Sequence, residues 1–127
     1  MPPDLQDDRP IFIQIKEYIE DGILDGRFAA DEPIPSVNRL VEFFGINPVT
    51  VLKGIGLLTD AGILYKKRGV GMFVRKDAPE ILRKQRAEAL HERFVLPLVR
   101  RARSLGLTQE ELQRILDAAW RDFHGNV

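Results

Sequence analysis

Asn47-Pro48 stands directly in front of Val49-Thr50-Val51, and this junction constrains the fold more than any other stretch of the chain. The three β-branched residues favour a strand. Asn47 favours the start of a helix, because its side-chain oxygen can accept an orphan amide hydrogen of the first turn. Pro48 at the first helical position gives up no hydrogen bond. Local propensity differences amount to roughly tenths of a kcal/mol per residue, so the caps prevail. A helix is predicted from Pro48, with Val51, Ile55 and Leu58 at helical spacing and Gly62 as its stop.

The flanking segments extend the pattern. From Pro10, Ile11, Ile15, Ile19 and Ile23 recur every fourth residue, and Asp25-Gly26 ends a first helix. Residues 30–35 read as a turn and an extended link. Ser36 is a good N-cap for a second, short helix carrying Leu40, Val41, Phe43 and Phe44, closed by Gly45. After Gly62, residues 63–67 and 72–75 are short apolar strands around Arg68-Gly69-Val70-Gly71, a β-hairpin. Helix, helix, tight turn, helix and hairpin make a winged helix-turn-helix.

Residues 80–104 give another amphipathic helix, with Leu90, Phe94, Leu98 and Ala102 along one face. Pro97 inside it should remove the hydrogen bond to the carbonyl of Arg93 and produce a kink. Thr108-Gln109-Glu110-Glu111 is a capping box for a last helix. The expected fold is mainly α with a small β-hairpin: an acidic tail over residues 1–9, the winged unit over 10–76 and a two-helix appendage over 77–127. Two helices of this length bury little by themselves. Leu90, Phe94, Leu98, Leu112, Ile115, Leu116, Ala119 and Phe123 are therefore expected to pack on a second copy of the chain. At roughly 1.5–3 kcal/mol per fully buried large side chain, they suffice for an obligate homodimer. Trp120 reads as a packing anchor.

The net charge is zero, but its distribution is uneven. Residues 1–33 carry −6, residues 34–76 carry +5 and residues 77–127 carry +1. A neutral chain with one positive block can still offer a basic face to phosphate. A helix-turn-helix leaves the N-terminal residues of its second helix exposed to enter the major groove. Val49, Thr50 and Lys53 are the side chains placed to do so. Thr50 can bond a phosphate or base and offer its methyl to thymine, and Val49 offers apolar contact alone. Asn47 and Ser36, at helix N-termini, suit phosphates. In the wing, Lys67, Arg68 and Gly69 form a small cationic tip suited to the minor groove, where arginine favours narrow, A·T-rich sequence.

The segments PIFIQIKEYIEDGIL, IPSVNRL, GINPVTV and GVGMFV resemble the DNA-binding domain of the GntR family of bacterial transcription regulators over residues 10–75. The Asn-Pro ahead of the recognition helix and the brief two-helix tail resemble its YtrA subfamily. The resemblance implies a regulator, expected to be a repressor, that binds a two-half-site operator as a homodimer. Two-fold symmetry would set its recognition helices about 34–36 Å apart, or a multiple of that. The family usually has arginine at position 38, where it contacts DNA; here Asn38 stands there with Arg39 beside it. The subfamily usually has asparagine at position 49, here Val49. Gly54 and Gly56 replace better helix formers, at about 1 kcal/mol each relative to alanine.

Other classes find less support. Cysteine is absent, excluding disulfides and thiolate metal sites. His91 and His124 lack ligand spacing, so no metal is expected. Ser36 has no histidine partner, and no residue set suggests an enzyme or a cofactor. No apolar run approaches a membrane span, and the acidic start is no secretory signal, so a cytoplasmic protein is expected. The tail is too short for the large ligand-binding domain of most of the wider family, leaving any small-molecule effector without a visible site. The rival reading is a winged-helix protein-interaction module whose basic block meets an acidic protein.

Overall fold

The computed structural model describes Leu5 and residues 8–123. His124, and all but three residues of the predicted acidic tail, lie outside those residues. Within it, Leu5 packs against the core, and Arg9 pairs with Glu17. The first compact unit runs to Lys84, and the second comprises residues 85–127.

The first unit holds α1 (Ile11–Leu24), α2 (Val37–Phe44), α3 (Pro48–Asp60), β1 (Leu64–Lys67) and β2 (Gly71–Val74). The isoleucine stripe of α1 is the centre of the core: Ile15, Ile19 and Ile23 are buried against Leu40 and Phe44 of α2 and Val51, Ile55 and Leu58 of α3. Tyr18 fills the remaining space with Phe28, Phe43 and Phe44, at centroid distances of 5.1–6.2 Å. The cap chemistry is as the residues predict. Ser36 Oγ accepts the Arg39 amide at 3.2 Å, and Asn47 Oδ1 accepts the Thr50 amide at 3.0 Å. Between those helices Gly45 adopts φ 67°, the left-handed conformation that lets the chain reverse. The axes of α2 and α3 differ by 119°, at the steep end of helix-turn-helix geometry.

β1 and β2 pair antiparallel, with Tyr65 opposite Phe73 and Lys67 opposite Gly71. The link at residues 30–35 does more than connect. The Asp31 amide donates to Val74 O, the Val74 amide to Glu32 O and the Ile34 amide to Met72 O, at 2.8–3.0 Å. It therefore grips the free edge of β2 as a third, irregular strand and fixes the base of the wing.

The predicted boundary at Lys76 is corrected. α4 (Ala78–Leu90) begins earlier than residue 80, and its Ala78 and Leu82 are buried in the first unit's core. Its first two turns complete the winged domain, so the division falls after Lys84. The predicted kink is also revised. A π-helical turn, His91–Val95, precedes α5 (Leu96–Ser104), and the Leu96 amide donates to His91 O. Pro97 thus sits in the first turn of a new α-helix. The widened turn relieves the clash that its ring would make with a carbonyl four residues back. Leu107 N–H to Ala102 O at 3.0 Å closes α5, and α6 (Gln109–Asp122) follows behind the predicted capping box.

Candidate nucleic-acid interface

The leading turn of α3 is presented outward. Asn47, Pro48 and Val49 are exposed and Thr50 is half-buried, while Val51 behind them is sealed in the core. The Thr50 hydroxyl donates to Asn47 Oδ1 at 3.2 Å, so that oxygen accepts both the amide and the hydroxyl of Thr50. The Asn47 amide group keeps its donor hydrogens for a phosphate, and the positive end of α3 adds to the attraction. Lys53 is exposed, with its ammonium 4.0 Å from the centre of the Phe12 ring of α1. That cation–π contact parks the charge beside the helix instead of extending it along the axis.

Ser36, Asn38 and Arg39 are all exposed at the start of α2. Ser36 spends its oxygen on the Arg39 amide, which leaves the Arg39 guanidinium as the free charge of this turn. In the wing, Lys66, Lys67, Arg68 and Gly69 are exposed. Gly69 has φ 76°, a left-handed conformation that the three-residue tip requires. Lys67 lies over the Phe73 ring at 4.2 Å, held close to the strand, and Arg68 is exposed at the tip. Among the described residues, Arg39, Lys53, Lys66, Lys67 and Arg68 have no acidic partner within ion-pair distance. Cations left unneutralised in one unit are what a polyanion needs. At the base of the wing Tyr65 donates to Asp31 at 3.4 Å. Burial, then the Asp31 charge, pushes its hydroxyl above the usual phenol range.

Two exposed apolar side chains escape the sequence reading: Leu52 on α3 and Val70 at the wing tip. The first had a signal, since position 52 lies off the 51/55/58 stripe and so on the outer side.

The second unit is described by itself. Among its described residues only Ala102 is buried. Of the side chains expected to meet a second copy, Leu90, Phe94, Leu98, Ile115, Leu116, Ala119 and Phe123 are exposed, and Leu112 is half-buried. Trp120 is 89% exposed, so it anchors nothing within this chain. Val99, Ala102, Leu112 and Leu116 line an open groove of about 580 Å³, with Arg103, Gln109 and Gln113 at its polar edge. No group of His, Asp or Glu among the described residues is arranged to hold a metal. No single described helix is long and apolar enough to cross a membrane.

Comparison with known proteins places this geometry. The sequence pattern of the bacterial regulatory proteins of the gntR family matches residues 13–74. The chain is 38% identical over 71 residues to the HTH-type transcriptional repressor NagR of Bacillus subtilis, covering 56% of this chain and 29% of that repressor. It therefore spans under a third of that relative's length. A GntR family transcriptional regulator from Listeria monocytogenes superposes with a TM-score of 0.76 at 28% identity, over 90% of this chain and 98% of that one. The DNA-binding domain of AraR, solved in complex with operator ORX1, superposes with a TM-score of 0.51 at 36% identity, over 58% of this chain and 90% of that one.

Proposed function

Since the chain belongs, through residues 13–74, to the GntR family of bacterial regulatory proteins, we propose that it is a sequence-specific DNA-binding transcription repressor. Its relatives are regulators, and it is not an enzyme. In this reading it binds an operator of two half-sites as a homodimer, with α3 in the major groove and the wing tip in the minor groove. Asn47 and Ser36 seat phosphates, Val49 and Thr50 face the bases, Lys53 turns from the Phe12 ring toward a phosphate, and Arg39 takes over the charge that Asn38 lacks. Lys67, Arg68 and Gly69 serve the wing. The YtrA-like assignment draws support from relatives that the chain spans nearly end to end, such as the Listeria regulator.

The observation that carries the proposal is the exposed, Asn47-capped leading turn of α3 in the same compact unit as five cations without acidic partners. Fluorescence anisotropy with the duplex upstream of its own gene tests it. Binding should weaken steeply with salt, and Thr50→Ala plus Arg68→Ala should weaken it by roughly tenfold or more at low salt. Indifference of binding to that pair of substitutions would overturn the assignment. A duplex bound with neither a steep salt slope nor a footprint of two symmetric half-sites would instead favour the protein-interaction module, to which zero net charge and Asn38 lend some weight.

A further inference from the structure

α3 turns Val51, Gly54, Ile55 and Leu58 into the core. At about 100° per residue, Val49, Leu52, Lys53 and Gly56 fall on the opposite side, within an arc of about 100°. Val49 is 75% exposed and Leu52 53% exposed, and both are large and apolar. Lys53 is drawn aside onto Phe12, and the Thr50 hydroxyl is engaged with Asn47. The outer strip is therefore poor in free donors and acceptors. Gly56 completes it. A Cβ at Gly56 would meet nothing within 4 Å, so packing does not demand a glycine there. A helical glycine without a steric reason in the free molecule fits a place where a ligand approaches the backbone closely.

We infer that Val49, Leu52 and Gly56 form an apolar reading strip that selects thymine in each operator half-site by its 5-methyl group, Gly56 admitting the DNA close to the helix. This rests on the DNA-binding reading above. The unneutralised cations of the same unit make a polyanion the fitting occupant of a strip that would otherwise suit an apolar partner. In the major groove the thymine methyl is the base-edge feature that aliphatic side chains recognise, whereas the edges of guanine and cytosine need donors and acceptors. Asp60, one turn beyond Gly56 on the same arc, repels phosphate and confines the contact to the first two turns.

Binding sites selected by the full chain from a randomised duplex pool provide the test. Each selected thymine is then replaced singly by deoxyuridine, which removes the methyl alone. At one or more positions per half-site, deoxyuridine should weaken binding about fourfold, the worth of one buried methyl-sized group. That penalty should vanish in Leu52→Ala or Val49→Ala. Gly56→Ala should raise Tm by about 4–8 °C, as expected for alanine on an open helix face, and yet weaken binding roughly tenfold. Deoxyuridine tolerated at every position, or Gly56→Ala binding as tightly as the parent, would overturn the inference. A pool with no enrichment and no salt-dependent binding would overturn the regulator reading itself, and this strip with it.

Discussion

Two glycines two positions apart in α3 have opposite physical reasons. A Cβ at Gly54 would stand 2.8 Å from the Phe12 carbonyl oxygen and 3.2–3.3 Å from Ile15, because α1 crosses α3 there at close range. Gly54→Ala should therefore destabilise the protein by about 1–3 kcal/mol despite the better helix propensity of alanine, as read by chemical denaturation. An unchanged midpoint would mean that α1 can step back freely. The sequence reading treats both glycines alike, as departures from better helix formers, since neither local spacing nor propensity reports what another helix brings close. The exposure of Arg39 and Arg68 and the left-handed turn at Gly69 were legible because charge and turn chemistry are local. The engagement of Thr50 with its own cap, and of Lys53 with Phe12, required coordinates.

At the scale of elements, helix starts were the most legible feature. Ser36, Asn47 and Thr108 each accept the amide three residues on. That chemistry depends on four consecutive residues, so spacing reveals it. Pairing of residues 31–34 with β2 and the π-helical answer to Pro97 were hidden, because both depend on distant or cumulative geometry. The capping box makes a pH prediction. The Thr108 amide donates to Glu111 Oε1 at 3.0 Å, and this bond holds the Glu111 carboxyl below its ordinary value. A depressed folded pKa stabilises fully above the unfolded value and is lost as pH falls through the folded one. The stability gap between the parent and Glu111→Gln should accordingly be largest above about pH 4.5 and shrink in more acidic solution, as measured by thermal circular dichroism. A gap that stays constant into strong acid would remove the charged form of Glu111 from the account of α6.

For the molecule as a whole, the contrast between units is the main fact. The first buries a closed core, with no buried side-chain polar atom left unsatisfied among the described residues. The second leaves Leu90, Phe94, Ile115, Leu116, Trp120 and Phe123 in solvent in a single chain. That contrast supports the proposed homodimer. Phe94→Asp combined with Leu116→Glu should yield monomers in analytical ultracentrifugation while the winged unit keeps its cooperative unfolding. A dimer that survives both substitutions would send the search for the interface elsewhere. Operator affinity should fall with dimer loss, because one half-site contributes about half the contacts. The winged architecture was legible from punctuation, caps and stripes. The extension of its core to Leu82 was not, since an amphipathic helix does not announce which of its turns belongs to which neighbour.

The widened turn at residues 91–95 has a consequence for how the second unit can change. It accommodates one residue more than an ordinary helical turn. Every side chain beyond Val95 is thereby swung by about 100° from where an unbroken α-helix would set it. Phe94 and Leu98 are thus offset by an indexing step that a single deletion could undo and a single insertion could double. Such a segment acts as a dial that sets the bearing of the downstream face of α5.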